Sequence, residues 1–458
     1  MKMKLIAAAV ATLAAAPAFA LNTSDTTAAI NAGRVVYASG ASAPTNIVWR
    51  GFASQCQTGT LDAYSAADLT AASKPGASAW GNFLAYSCKL KAGATGTAWD
   101  NQNVAFMHTV DGGSINSVYG MSSDTNQQVK FIVDALTNCA ASGFNTTDSG
   151  LSVPIYEKCS TAKKKSHGGF SDVEKQMWSA LFATNPPASL NIADIEVLGL
   201  AAGQAFGVAV SKPLYVALQT EQGLTATGCT GDSVTAACQP SITKRDYASI
   251  VNADPFSVTK VDWSFLLPTT GTGMPVNLCR RVDTSGTQAS SNVYFMANPC
   301  AGYEDQLGKR FPATVADEIP GAFHVVEGSG TGDVKKCLSG NATYGTTASD
   351  FSIGVISAEN NPTVPSSSTD SWRFVKLDGI SIYDGAGNRA NVLNGKYDFA
   401  FELALHTHPT LTPANSKALM TKVAEFLGDS SAPAIDGLYR VADAKGTRGG
   451  NACQPFAY

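Results

Sequence analysis

Four short stretches of this chain carry residue types suited to holding an anion. Gly40-Ala41-Ser42-Ala43-Pro44 lies between an expected strand at 34–38 and an expected helix at 45–54. Gly112-Gly113-Ser114 follows an expected strand at 103–109, and Gly168-Gly169-Phe170-Ser171-Asp172 leads into an expected helix at 172–180. Arg281-Val282-Asp283-Thr284-Ser285-Gly286-Thr287 starts at the end of an expected strand at 276–281. Each stretch sets small hydroxyl residues and backbone N–H groups at an expected helix start. Such ends attract negative charge, because the first N–H donors lack partners inside the helix and the helix dipole is positive there. One Gly-Ser turn before a helix is an ordinary cap. Four of them, together with one arginine and one aspartate, suit a tetrahedral oxyanion. A guanidinium fork fits two oxygens at once. A buried carboxylate beside it accepts a proton from an acidic ligand and disfavours one that has no proton to give.

In this order the stretches resemble the PstS-like phosphate-binding family of periplasmic binding proteins. The family's first motif has the form G-A-[ST]-x-P, matched by Gly40 to Pro44, and its arginine motif R-x-D-x-S-G-T is matched throughout by Arg281 to Thr287. Gly207 to Val210, Ser241 to Ile250 with Trp263 beyond, and Phe351 to Ile356 resemble further segments of the family. The resemblance spans most of the chain after residue 20, although the insertions between the motifs have no family counterpart. The family often carries an aromatic residue where Ala43 stands, a change that a backbone donor tolerates.

The resemblance implies an α/β, two-lobed fold of the type II periplasmic-binding-protein kind, to which the polar, cysteine-bearing stretches would add disulfide-pinned loop insertions. One lobe would comprise 21–207 and 396–458, the other 208–395, with ligand enclosed between them by hinge closure. Ser42 would donate its hydroxyl and Ala43 its backbone N–H to a phosphate oxygen, while Ser114 caps a second oxygen. Asp172 would accept the proton of a protonated phosphate and so discriminate against sulfate. Arg281 would give a bidentate pair, Ser285, Gly286 and Thr287 would supply hydroxyl and N–H donors, and Asp283 would orient Arg281. The implied function is capture of inorganic phosphate or a related oxyanion by an exported, monomeric solute-binding protein. Its implied partner is an ABC-type membrane permease, with no catalysis and no cofactor. Two readings of other classes stand beside it: a secreted interaction or matrix protein reusing the fold, and a phosphoester-processing enzyme.

Other candidates are weaker. Gly328-Ser329-Gly330-Thr331-Gly332 follows an expected strand at 323–327, but its glycine spacing does not fit a dinucleotide loop, so a turn near the cleft is expected. His406 and His408 alternate along one strand without an obvious third ligand, so surface or interface histidines are expected rather than a metal site. His108, His167 and His324 are scattered, and no G-x-S-x-G elbow is present. Lys163-Lys164-Lys165 reads as a solvated surface run.

The elements that must position these residues read as strands alternating with helices, which points to α/β architecture with largely parallel sheets. Further strands are expected at 205–210 and 351–357, and helices at 244–251 and 413–427. The apolar run 197–210 reads as a buried strand. The polar stretches 122–161, 225–237 and 360–370 read as surface insertions. The chain has 458 residues, only 15% of them charged, and a formal net charge of −4. That balance argues against a nucleic-acid binder.

Met1 to Ala20 has the pattern of a signal peptide, with Lys2 and Lys4 ahead of an apolar run and Ala18-Phe19-Ala20 as the cleavage signal. A periplasmic or secreted location follows as an expectation, with 30 Lys+Arg against 36 Asp+Glu in the remainder. The 10 cysteines form an even set with no CxxC pair, which argues for disulfides. Nearest sequence neighbours give Cys56–Cys88, Cys139–Cys159, Cys229–Cys238, Cys279–Cys300 and Cys337–Cys453 as the expected pairs.

Overall fold

The computed structural model describes residues 21–458 apart from 74, 76–77, 149, 230, 232, 253–261, 301–310, 361–370, 383–388 and 431–436. The expected signal peptide and most of the 360–370 stretch lie outside the described residues.

The Asn103–Thr109 and Val276–Arg281 strands and the Thr45–Ser54 and Lys244–Val251 helices keep their expected bounds. The Thr45–Ser54 helix forms because Ile47, Val48, Trp49, Phe52 and Ala53 make one apolar face after Pro44. It packs against the Ala414–Leu427 helix, close enough that a Cβ on Gly51 would lie 2.9 Å from the Val423 carbonyl oxygen.

Among the described residues the strands form two large sheets. The six-stranded sheet runs in the order Val35–Ser39, Asn103–Thr109, Phe83–Lys89, Asp62–Ser65, Leu151–Glu157, Ala140–Asp148. The eight-stranded sheet has the path Phe323–Gly328, Val276–Arg281, Ser352–Ser357, Glu196–Ser211, Ala400–Thr407, Gly169–Ser171. Trp372–Phe374 and Leu438–Arg440 also pair with its long Glu196–Ser211 strand. The fold is mixed α/β.

Largely parallel sheets were expected, and the structure corrects this. Phe83–Lys89 pairs antiparallel with both Asp62–Ser65 and Asn103–Thr109, and the long strand pairs antiparallel with four others. The connection 90–102 holds no helix to carry the chain across the sheet, and the two strands it joins lie side by side and antiparallel. Parallel pairing persists where the Val276–Arg281 strand meets Phe323–Gly328 and Ser352–Ser357, across helical connections.

Three further expectations change. The 172–180 helix is replaced by a bend, a 3-10 turn at Lys175–Trp178 and a short helix at Ser179–Thr184. Lys175 anchors this segment to the chain at 192–195: its Nζ donates to the carbonyls of Ile192 and Ala193 at 2.6 and 3.2 Å, and also to that of Ile195. The 197–210 run is buried only in its second half. Val197 and Leu198 are exposed, because that end of the strand has left the shared core. The 122–161 stretch is no surface insertion alone. It adds two strands to the edge of the six-stranded sheet and buries Phe131, Ile132 and Leu136 against Tyr37 and Met107.

Five disulfides are present. Cys56–Cys88, Cys139–Cys159 and Cys229–Cys238 pair as expected. Cys279–Cys337 and Cys300–Cys453 replace the expected Cys279–Cys300 and Cys337–Cys453. Cys279 lies in the Val276–Arg281 strand and Cys337 in the Thr331–Ser339 helix packed on it, both fully buried, so strand–helix layering overrides sequence distance. No helix among the described residues is long and apolar enough to cross a membrane.

Candidate functional site

Arg281 ends its strand, and the chain turns through Ser285 into the 11-residue helix Gly286–Met296. Ser285 is the N-cap residue, yet its side chain makes no capping bond, and the first turn holds no acidic residue. The positive end of this helix is therefore uncompensated by its own side chains. Ser285 and Thr287 are buried, at 1% and 5% exposure.

The Gly112–Ser114 turn crosses this helix start. Ile115 N–H donates to the Thr284 carbonyl at 3.1 Å. A Cβ on Gly113 would lie 2.9 Å from that same oxygen, and Gly113 has φ +83. A Cβ on Gly286 would lie 2.3 Å from Ser114 Oγ and 2.6 Å from Asp172 Oδ2. Both positions require glycine for close approach. Ser114 Oγ donates to Asp172 Oδ2 at 3.2 Å, which closes the group.

Asp172 is 3% exposed, and its Oδ1 has no hydrogen-bond partner among the described residues. Burial pushes its carboxyl up to about 6, opposed by the Ser114 hydrogen bond and the Arg281 charge. Arg281 is 5% exposed. It donates from Nη1 to Thr331 Oγ1 at 3.2 Å and from Nη2 to the Ser329 carbonyl at 2.9 Å, leaving Nε without a partner. Burial pushes the guanidinium down, opposed by Asp172, Asp333 and Glu359 in that order. Glu359 is pushed up to about 7 by burial against a hydrogen bond from Ser357, with Asp172 adding to the rise. Ser357 Oγ, Asn360 Nδ2 and Gln204 Nε2 donate to its carboxylate at 2.6, 2.9 and 3.0 Å.

The structure thus brings Ser114, Asp172, Ser285 and Gly286 into one contact group, with Arg281 coupled to Asp172 by charge. The Gly40–Pro44 turn is tied to the strand that leads into Asp172, since Ala41 N–H donates to the Phe170 carbonyl at 2.7 Å. Ala43 is buried, but Ser42 is exposed and its hydroxyl bonds to none of the other site residues. Only its carbonyl is engaged, accepting from Thr45 N–H and Oγ at 3.1 and 2.7 Å.

Asp283 does not orient Arg281, as the sequence suggested. It pairs with Arg280. Consecutive strand residues point to opposite faces, so the fork within reach of Asp283 is that of Arg280. Arg280 also donates to the Ala313 carbonyl at 2.9 Å.

Ser329, Thr331 and Glu359 were missed as site residues. A signal for the first two lay in the Gly328–Gly332 turn, because parallel register sets Gly328 beside Arg281. Glu359 had none.

The expectation that His406 and His408 are surface or interface residues is also corrected: their exposures are 0% and 8%. His406 lies in the Ala400–Thr407 strand, buried along its whole length between the long strand and Gly169–Ser171, and His408 sits just past its end. His408 Nδ1 accepts from the N–H groups of Thr410 and Leu411, both at 3.2 Å. Among the described residues no group of three or more His, Cys, Asp or Glu is placed to hold a metal ion.

No family model matches this chain, and no curated protein does. Several solved structures are similar in part, three of which follow. One, from Clostridium perfringens, is described as a phosphate ABC transporter substrate-binding protein with bound phosphate; it is 14% identical, with 56% of this chain and 88% of that one covered at a TM-score of 0.29. A second, described as a possible phosphate binding protein from Planctomyces limnophilus DSM 3776, is 12% identical over 57% of this chain and 70% of its own, TM-score 0.29. An ABC-type phosphate transport receptor from Vibrio cholerae is 14% identical over 56% and 72%, TM-score 0.27.

Proposed function

We propose that this chain is an exported solute-binding protein that captures a protonated tetrahedral oxyanion, inorganic phosphate above all. The observation that carries the reading is a buried aspartate with a free oxygen, Asp172, coupled to a buried arginine with a free Nε, Arg281, at an uncapped helix start. Orphaned polar atoms in such burial are costly without a ligand to satisfy them. A phosphate oxygen accepts from Arg281 and from the N–H groups of Gly286 and Thr287, while a P–OH donates to Asp172 Oδ1. Sulfate has no proton to give at neutral pH, so the aspartate would face an oxygen of like charge.

The motif resemblance supports the same residues, with Ser42 and Ala43 completing the shell. Ser114 and Asp172 belong to the proposed lobe 21–207 with 396–458, and Arg281 to Thr287 to the lobe 208–395, so one anion bridges both. An ABC-type permease is the partner this reading calls for. Thermal melts test it. Phosphate at 100 times its Kd stabilises by about 2.7 kcal/mol, and equal sulfate leaves the midpoint unchanged. No stabilisation by phosphate would sink the reading.

A further inference from the structure

Ser114 and Asp172 are 58 residues apart in sequence, and one residue supports both. His406 is fully buried in the Ala400–Thr407 strand. Its backbone pairs in register with Gly169, and its carbonyl oxygen lies 2.3 Å from where a Cβ on Gly168 would sit, so the segment leading to Asp172 rests directly on it. Its side chain reaches the other partner. Ser117 Oγ donates its one proton to the Ser114 carbonyl at 2.6 Å, and His406 Nδ1 lies 2.7 Å from that same Oγ. Ser117 must therefore accept, which sets the imidazole proton on Nδ1. His406 Nε2 is buried without a partner, a cost that an apolar residue would avoid. Packing alone does not account for a histidine here.

We propose that His406 is a positioning residue for the anion site, fixing Ser117, and through it the Ser114 turn, in the geometry that bonds Asp172. The proposal rests on reading the site as a phosphate site. Burial, with the Lys175 charge adding to it, pushes the imidazole down to about 3, so the ring stays neutral while Asp172 titrates. The charged and hydrogen-bonding groups acting on Asp172 are Ser114, Arg281 and Glu359. Of these, Ser114 is the one that His406 controls. Losing the Nδ1–H donor loosens the Ser114 turn, which removes the hydrogen bond that holds the Asp172 carboxyl down and frees the carboxylate that must accept the phosphate proton from its fixed position.

Ser117→Ala and His406→Leu remove the link from its two ends, whereas His406→Asn restores an N–H close to the Nδ1 position. Carboxyl-carbon NMR of the ligand-free chain follows the Asp172 titration, and calorimetry with inorganic phosphate follows affinity from about pH 5 to about pH 8. Ser117→Ala and His406→Leu should raise the Asp172 midpoint and weaken phosphate binding about tenfold. His406→Asn should remain within about threefold of the parent. An unmoved Asp172 midpoint in Ser117→Ala overturns the proposal, and so does an equal loss in the asparagine and leucine variants. If His406→Leu fails to fold, Ser117→Ala decides. Should the parent bind no phosphate, the site reading fails, yet the ligand-free titrations still settle the role of His406.

Discussion

At the scale of single residues, Asp172 is the proposed selectivity element and also carries a cost. Its folded value, raised to about 6, exceeds the unfolded value of about 3.9. Between those two values the folded chain holds a proton that the unfolded chain has lost. Stability therefore falls as pH rises through that window and stays lower above it. Asp172→Asn removes this cost. Chemical denaturation at about pH 8 should find the variant more stable by about 1–3 kcal/mol, while its preference for phosphate over sulfate collapses. A variant no more stable than its parent contradicts the assignment. The two neighbouring arginines separate cleanly as well. Arg281→Ala removes a charged donor from the ligand and should weaken phosphate binding by about 100-fold or more. Asp283→Ala releases only Arg280 and should stay within about threefold, as competition binding would report.

At the scale of elements, two turns interlock at Gly113 and Gly286, and that contact sets the spacing between Ser114 and the helix start. Gly286→Ala would drive a methyl into Ser114 Oγ and Asp172. Phosphate affinity should drop at least about tenfold, with helix content by circular dichroism retained. Unchanged affinity would show that the two turns do not cooperate in binding. The Arg281–Thr287 stretch was legible in sequence because strand end, turn and helix start are contiguous there. The same holds for the Thr45–Ser54 helix, with its apolar face and preceding proline. Asp172 was legible as a residue but not as an element, since a bend and a 3-10 turn held to a distant segment by Lys175 stand where one helix was expected. Ser329 and Thr331 reach Arg281 through parallel strand register, and Glu359 from the turn that follows the neighbouring strand Ser352–Ser357 of the same sheet. No local pattern encodes either. The cysteines teach the same lesson: neighbours pair when the bridge closes a local loop, and fail to pair when a helix layered on a strand supplies the nearer thiol.

At the scale of the whole molecule, Cys300–Cys453 closes a separation of 153 residues and ties the chain's last segment to the end of the site helix. Serine at both positions should lower stability by about 2–5 kcal/mol, read by denaturant unfolding under non-reducing conditions. The molecule as a whole is acidic, with a formal net charge of −4, so an anion gains nothing from its overall field. Under the proposed reading, capture comes from the local donors of Arg281 and the Gly286 helix start, in a buried region where such donors act strongly. The most direct measurement is isothermal titration of the refolded, ligand-stripped chain with phosphate and then with sulfate at neutral pH. Saturable binding of one phosphate per chain, with sulfate weaker by about 100-fold or more, is the predicted result. Heat from neither anion, or equal affinity for both, would contradict the account.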